Sequence, residues 1–276
     1  MTALAGAGLP AGVDLAAVVA EQPDPLVFAT VSGAHLYGFP SRDSDVDLRG
    51  VHLLSVAALV GLGEPAQTRT AMWHRDGVEM DLVTHDLRKF VQLMLRRNGY
   101  VLEQLLSPLV VHTSPVHAAL VELALGVLTR HHGHHYRGFA ATQRRLFDRT
   151  GELKPLLYAF RALLTGVHLM RAGRVVAHLP TLLDAEPAPA YLADLIAAKR
   201  TAEHGALGDL VGRDVLGRDL DALAARLDQA QQDTRLPEQP SGSRELDDLV
   251  VSARLADPRH HPPEAPVSRT GERRAG

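Results

Sequence analysis

Three aspartates, Asp43, Asp45 and Asp47, fall within five residues of the stretch "SGAHLYGFPSRDSDVDLRG", residues 32–50. On an extended strand, carboxylates at i and i+2 project to the same face a few ångströms apart. Like charges so placed repel, and a fold tolerates them in open water or with a cation between them. Just upstream, Gly33-Ala34 permits a tight turn and close backbone approach to a ligand, and Gly38 repeats that freedom. A strand, a glycine turn and a helix start expose backbone N–H groups that suit phosphate oxygens. A phosphate cradle beside paired carboxylates is what metal-assisted nucleotidyl transfer needs. There the ions bridge phosphate oxygens and lower the pKa of the attacking hydroxyl, while the protein positions. The plainer reading is a solvated acidic turn, and a lone Asp-x-Asp does not choose between the two. Other phosphate motifs fail on spacing, since neither the Gly-Lys-Ser/Thr of a P-loop nor a dinucleotide-type G-x-G-x-x-G occurs.

The elements that must hold these residues follow from periodicity. "LVFATVSG" is an apolar, β-branched run that reads as a buried strand. "VDLRGVHLL" alternates Val46 and Leu48 with Asp45, Asp47 and Arg49, a strand with one wet face. "GVEMDLVTH" alternates again, Val78, Met80 and Leu82 against Glu79, Asp81 and Val83. "DLRKFVQLMLRRNG" places Leu87, Phe90, Val91 and Met94 at helical spacing, with Asn98-Gly99 as a stop signal. Residues 115 to 230 read as almost wholly helical. From Leu236 the chain is rich in Pro, Arg, Glu and Ser, the composition of a largely disordered tail with one short helix near Leu246 to Leu255.

Composition bounds the remaining choices. The 276 residues, 46% of them hydrophobic, can bury a substantial core. A net charge of -3 gives no case for wrapping a nucleic acid. Cysteine is absent, which excludes disulfides and thiolate zinc sites and is compatible with a cytoplasmic protein. The start lacks the basic residues of a signal peptide, and no stretch approaches the ~18 apolar residues of a membrane span.

With those residues in view, "VSGAHLYGFPSRDSDVDLRGV" resembles the signature of the DNA polymerase β-type nucleotidyltransferase superfamily. That signature runs glycine-serine, a spacer with a further glycine, then serine-aspartate-x-aspartate. The longer form is similar to a bacterial branch, the predicted nucleotidyltransferases of the YcgL type. "DLRKFVQLMLRRNGYVLEQLLSPLVV", "HHYRGFAATQRRL" and "LKPLLYAFRALLTG" are similar to later segments of that branch, so the likeness covers roughly residues 26 to 185.

The resemblance implies that Asp45 and Asp47 are metal ligands and that a neighbouring strand supplies a third carboxylate. Asp81 is the best candidate and Glu79 the fallback. It makes Asp45, Asp47 and Asp81 the catalytic set, holding two Mg²⁺ (or Mn²⁺) ions, with an NTP as substrate. Gly33 and Gly38 would shape the cradle, and Ser44 would fix the loop or touch phosphates. Asp43 and Asp76 read as turn residues. Ala34 is a departure, because the superfamily usually has serine there. A hydrogen bond to a charged group is worth about 1.5–3 kcal/mol, so triphosphate binding would be weaker without it. Ser32, two residues away, is a partial substitute.

Lys154, Tyr158 and Arg161 fall at i, i+4 and i+7, one helix face. Spacing alone is equally consistent with a solvated basic face. The resemblance turns them toward the cleft as nucleotide-binding residues, beside the nucleotide-binding Gly33, Ala34, Gly38 and Ser44. Pro155 suits a helix's first turn. The histidines at 131, 132, 134 and 135 lack the i, i+4 placement of a metal pair, so a surface or cleft-lining role is the better reading, with His135 and Tyr136 the candidates for substrate contact. Trp73 and His74 could stack on a base, although a core tryptophan is the plainer account.

The sequence therefore predicts an α/β (α+β) protein: an N-terminal segment, 1–24; a nucleotidyltransferase mixed sheet with flanking helices, 25–112; an α-helical domain, 113–235; and the tail, 236–276. The expected reaction moves an NMP from an NTP to an acceptor (a nucleic-acid end, a small molecule or a protein) with release of pyrophosphate. The alternatives are a catalytically weak, antitoxin-like or regulatory nucleotide- or partner-binding protein of the same fold, and a metal-dependent phosphoester hydrolase.

Overall fold

A computed structural model describes residues 2–200 and 211–260. Two short helices, α1 (Thr2–Ala5) and α2 (Leu15–Ala20), precede strand β1 (Leu26–Val31), which is buried at every position as its unbroken apolar run requires. A short helix α3 (Gly33–Tyr37) follows, then β2 (Val46–His52), α4 (Val56–Val60), β3 (Thr68–Arg75) and β4 (Val78–Asp86). Next come α5 (Leu87–Leu95), α6 (Gly99–Leu105) and a three-residue strand β5 (Val110–His112).

The strands form a mixed sheet in the order β3-β4-β2-β1-β5. β2 and β4 are parallel, and the β1–β2, β1–β5 and β3–β4 pairs are antiparallel. β1, β2 and β4 lie where the apolar run and the two alternating patterns place them. β3 and β5 were not foreseen: one is polar and half-exposed, the other too short to show a period. The β3–β4 hairpin turns at Asp76-Gly77, both with positive φ, so Asp76 is the turn residue expected. Asn98-Gly99 does stop α5, and Asn98 then opens α6 by accepting from the Tyr100 N–H at 3.0 Å.

The described residues beyond β5 hold helices and no strand: α7 (Pro115–Leu123), a 3-10 turn (Ala124–Val127), α8 (His132–Thr150), α9 (Leu153–Ala172), α10 (Leu179–Ala185), α11 (Leu192–Lys199), α12 (Arg213–Asp233) and α13 (Ser243–Leu255). α9 is the axis of this half, buried along nearly its whole length between α8 and α12. On the other half, Phe28 of β1 meets Phe90 of α5 edge-on and stacks on His117 of α7 at 4.5 Å, so the sheet shares one apolar core with the helices.

Over residues 236–260 the structure corrects the expected disorder. The foreseen helix is longer, Ser243–Leu255, and Leu246, Val250 and Arg254 are buried along one side of it, against α5 and α7. Arg254 Nη2 pairs with the buried Asp86 carboxylate at 2.7 Å, and its Nη1 donates to the Leu54 carbonyl at 2.8 Å. Proline and charge set the composition of the segment, but the i, i+4, i+8 spacing of those three residues makes it an amphipathic helix. Residues 261–276 of the expected tail lie outside the described residues.

Candidate active site

β2 and β4 run parallel with Asp47 directly beside Asp81. Neighbours in register on adjacent strands share a face, so the two carboxylates stand side by side, as the alternation of both strands requires. Glu79 is exposed, two residues nearer the start of β4, so of the two candidates it is Asp81 that stands beside Asp47.

A guanidinium joins the pair. Arg49, two residues along β2 from Asp47, donates from Nη2 both to Asp47 Oδ1 at 2.5 Å and to Asp81 Oδ2 at 2.7 Å. Its Nε donates to the Tyr100 hydroxyl at 3.1 Å, and its Nη1 to the carbonyls of Asp81 at 2.8 Å and Leu48 at 3.1 Å. Every nitrogen of this side chain is therefore engaged, with 8% of its surface exposed.

Asp47 is the electrostatic centre of the cluster. Burial pushes its carboxyl up to about 6, Arg49 and Lys154 pull it down, and Asp45 and Asp81 push it up further. Lys154, in the first turn of α9, thus lies close enough to act on Asp47. Tyr158 does as well: burial first, then the charge of Asp47, raises its phenol well above the ordinary range, and Asp45 adds to this. Tyr158 is held edge-on to Tyr37 and Phe39. The structure therefore brings Asp45, Asp47, Asp81, Lys154 and Tyr158 to one place, at the seam between the sheet and α9.

Arg161 departs from the expected arrangement. It is buried, its Nη1 paired with the buried Glu103 of α6 at 2.8 Å and its guanidinium 3.8 Å from the Tyr37 ring centre. The i, i+7 spacing gave the right helix but not the depth, and Arg161 holds α9 to α3 and α6 instead of facing the carboxylates.

The signature turn divides its work. Gly33 opens α3 at φ 59°, and a Cβ there would stand 1.8 Å from Asp47 Oδ2. The turn therefore comes against the carboxylate as closely as backbone can, and the Ser32 N–H donates to the Asp47 carbonyl at 2.8 Å. Ala34 is buried within α3. Ser32 is fully buried, and among the described residues its hydroxyl makes no hydrogen bond. Gly38, at φ 87°, ends α3, and a Cβ there would strike His178 Nε2 at 2.5 Å, so it seats the start of α10 against the loop. Ser44 fixes the loop: its hydroxyl accepts from the Ser41 N–H at 3.0 Å and shares a hydrogen bond with the Ser41 hydroxyl, which receives the buried Lys199 ammonium at 3.0 Å. Asp43 lies exposed in the turn.

The histidines of the cluster take separate partners, although the His131 and His134 rings stack at 5.9 Å. His131 pairs with Glu238, His132 is buried, His134 meets Gln231, and His135 packs edge-on to Tyr136. Trp73 stands opposite Met80 and is half-buried on that face, away from the one that carries Asp81. His74 is exposed.

Three observations bear on a divalent cation. The donors are carboxylate oxygens, which suit a hard ion. The Gly33 turn leaves no room for a side chain beside Asp47 Oδ2. Arg49 already supplies a cation between Asp47 and Asp81, although among the described residues no group of three or more His, Cys, Asp or Glu side chains is gathered as a ready metal cage. The carboxylates fit such an ion, with Asp81 tied to Arg49. Arg49, Tyr100, Glu103 and Lys199 were not picked out from the sequence. Only Arg49 left a trace there, as the basic residue two positions beyond Asp47 on the same strand face.

The profile of the family described as "RlaP: RNA repair pathway DNA polymerase beta family" matches residues 10–252. An uncharacterised protein of Methanocaldococcus jannaschii is 29% identical over 149 residues, 53% of this chain and 61% of that relative, so the chain spans less than two thirds of the relative's length. A nucleotidyltransferase-like protein from Exiguobacterium sibiricum aligns over 78% of this chain and 71% of its own at 12% identity, with a TM-score of 0.30. Among the described residues no helix is long and apolar enough to cross a membrane.

Proposed function

The chain belongs to the RNA repair pathway DNA polymerase beta family, and on that premise we propose that it moves a nucleoside monophosphate from an NTP to the terminal hydroxyl of an RNA, releasing pyrophosphate. The observation that carries this reading is the in-register pair Asp47 and Asp81, facing a glycine turn pressed against Asp47. The family's description favours RNA among the possible acceptors, and the net charge of -3 favours contact with an end rather than with a long duplex.

Asp45 and Asp47 would hold Mg²⁺ or Mn²⁺. When bound, such ions neutralise phosphate charge and acidify the attacking hydroxyl. The α3 turn offers backbone N–H groups to the phosphates, and Lys154 adds positive charge at the seam. The acceptor oxygen attacks the α-phosphorus as the bond to the pyrophosphate oxygen breaks. The hydroxyl proton passes to the Asp81 oxygen that Arg49 does not engage. Tyr158 and its aromatic neighbours wall the seam against water.

The test is label transfer from α-³²P NTPs to RNA bearing a free 3′-hydroxyl, with and without Mg²⁺. Asp45→Ala and Asp47→Ala should each abolish it. Absence of transfer across all four NTPs and a range of RNA ends, with nucleotide still bound, would instead favour a binding protein. Ala34 and the buried Ser32 hydroxyl support that second reading, because neither offers an exposed hydroxyl to a triphosphate.

A further inference from the structure

We propose that Arg49 is a positioning residue that serves as a built-in cation between Asp47 and Asp81, so that without nucleotide the site loads one divalent ion and not two. The inference rests on the reading of Asp45 and Asp47 as metal ligands. A cation lying between Asp47 and Asp81 would draw on the oxygens that face each other. Those oxygens, Asp47 Oδ1 and Asp81 Oδ2, both bind a single nitrogen, Arg49 Nη2, at 2.5 and 2.7 Å. They therefore lie no farther apart than those two lengths together, and the guanidinium fills the space.

The arginine is not an arm that swings aside. Nε is held by the Tyr100 hydroxyl and Nη1 by two main-chain carbonyls, one of them that of Asp81 itself. A divalent ion entering between the two half-buried aspartates would have to break both ion pairs and strand the buried arginine. The other Asp47 oxygen, Oδ2, is the one turned to Gly33. An ion held by that oxygen and Asp45 would sit on the side of the phosphate-binding turn. Arg49 thus separates two jobs: Asp47 is shared between ion and guanidinium, and Asp81 is kept for the acceptor.

The experiment is Mn²⁺ titration of the full chain without nucleotide, with free ion counted by electron paramagnetic resonance. The wild type should bind one Mn²⁺. Arg49→Met should bind two, the first at least tenfold more tightly, and Arg49→Lys, which keeps the charge, should bind one. Asp81→Asn alone should leave the affinity within twofold, because Asp81 is not a ligand in the resting site. In the Arg49→Met background it should remove the second ion. A merely structural role for Arg49 would lower the melting temperature without changing these counts. Two ions in the wild type, an unchanged count in Arg49→Met, or a tenfold loss in Asp81→Asn would each overturn the proposal. The Asp81→Asn result stands even if Arg49→Met does not fold. Because no NTP is present, failure of RNA labelling leaves this result intact, and labelling by a wild type that holds two ions would sink only this inference.

Discussion

Replacing Gly33 with alanine should damage the site far more than the fold. Two effects add at this position. An L-residue held at φ 59° carries the left-handed penalty of about 1–2 kcal/mol. The new Cβ would also stand 1.8 Å from Asp47 Oδ2 and 2.7 Å from its Cγ, whereas real Cβ contacts do not fall below 3.0 Å. The carboxylate must then retreat by about 1 Å, and a misplacement of that size near the chemistry costs about 10²-fold in rate. Gly12→Ala is the control: its φ is 98° and nothing lies within 4 Å of its Cβ, so it suffers strain without collision. Both variants should melt a few degrees below wild type, at about 2–4 °C per kcal/mol for a chain of this size. Only Gly33→Ala should also lose about 100-fold in label transfer and weaken Mn²⁺ binding. If Gly33→Ala stays within threefold of wild type in both assays, or Gly12→Ala falls equally, the close approach of the turn to Asp47 is not what sets the site.

Glu103→Gln should destabilise the chain by about 3–5 kcal/mol in urea unfolding, because it strands the buried Arg161 guanidinium, while Glu103→Leu with Arg161→Met should recover most of that loss. Equal losses in the single and double variants would mean that the pair is not the relevant contact. His132 should make the fold acid-sensitive. Burial lowers its imidazole to about 4, against the opposing pull of a hydrogen bond between its Nδ1 and the Thr129 backbone carbonyl at 3.2 Å. Its stabilising contribution is therefore complete above the ordinary value near 6.5. It falls as the pH drops from there through about 4, by at most about 3 kcal/mol. Urea midpoints at pH 7, 5 and 4 should converge less steeply in His132→Gln, and parallel pH slopes would remove His132 as the cause.

Much of this was legible because it depends on period two. The alternations around Asp47 and Asp81 put both on the wet faces of strands, and parallel register brings them together. Gly33 was legible because a turn between strand and helix needs its conformation. Arg161 was not, because helical spacing reports direction and says nothing of how deep the helix is sunk. Its buried partner Glu103 lies 58 residues away and leaves no mark near it. Gly38 was read for its conformational freedom, which its φ of 87° requires, while the close approach of His178, far along the chain, left no mark near it in the sequence. β3 stayed hidden because an edge strand with a polar face needs little apolar content. α13 was obscured by the prolines around it, which flank the helix without entering it.

The pairing of Arg254 with Asp86 has a consequence for dissection. Asp86 closes β4, five residues beyond Asp81, and accepts from the Arg88 N–H at the start of α5. Its arginine arrives from 168 residues later in the chain. A fragment of residues 25–112 would contain all three carboxylates of the candidate site. It would still carry a buried anion without its counter-charge, and a signature loop without the Lys199 ammonium beneath it. A cut at the composition boundary near residue 112 would therefore remove both contacts. The half that holds the carboxylates takes contacts from α11 and α13, and a fragment cut at that seam should not be expected to keep its geometry.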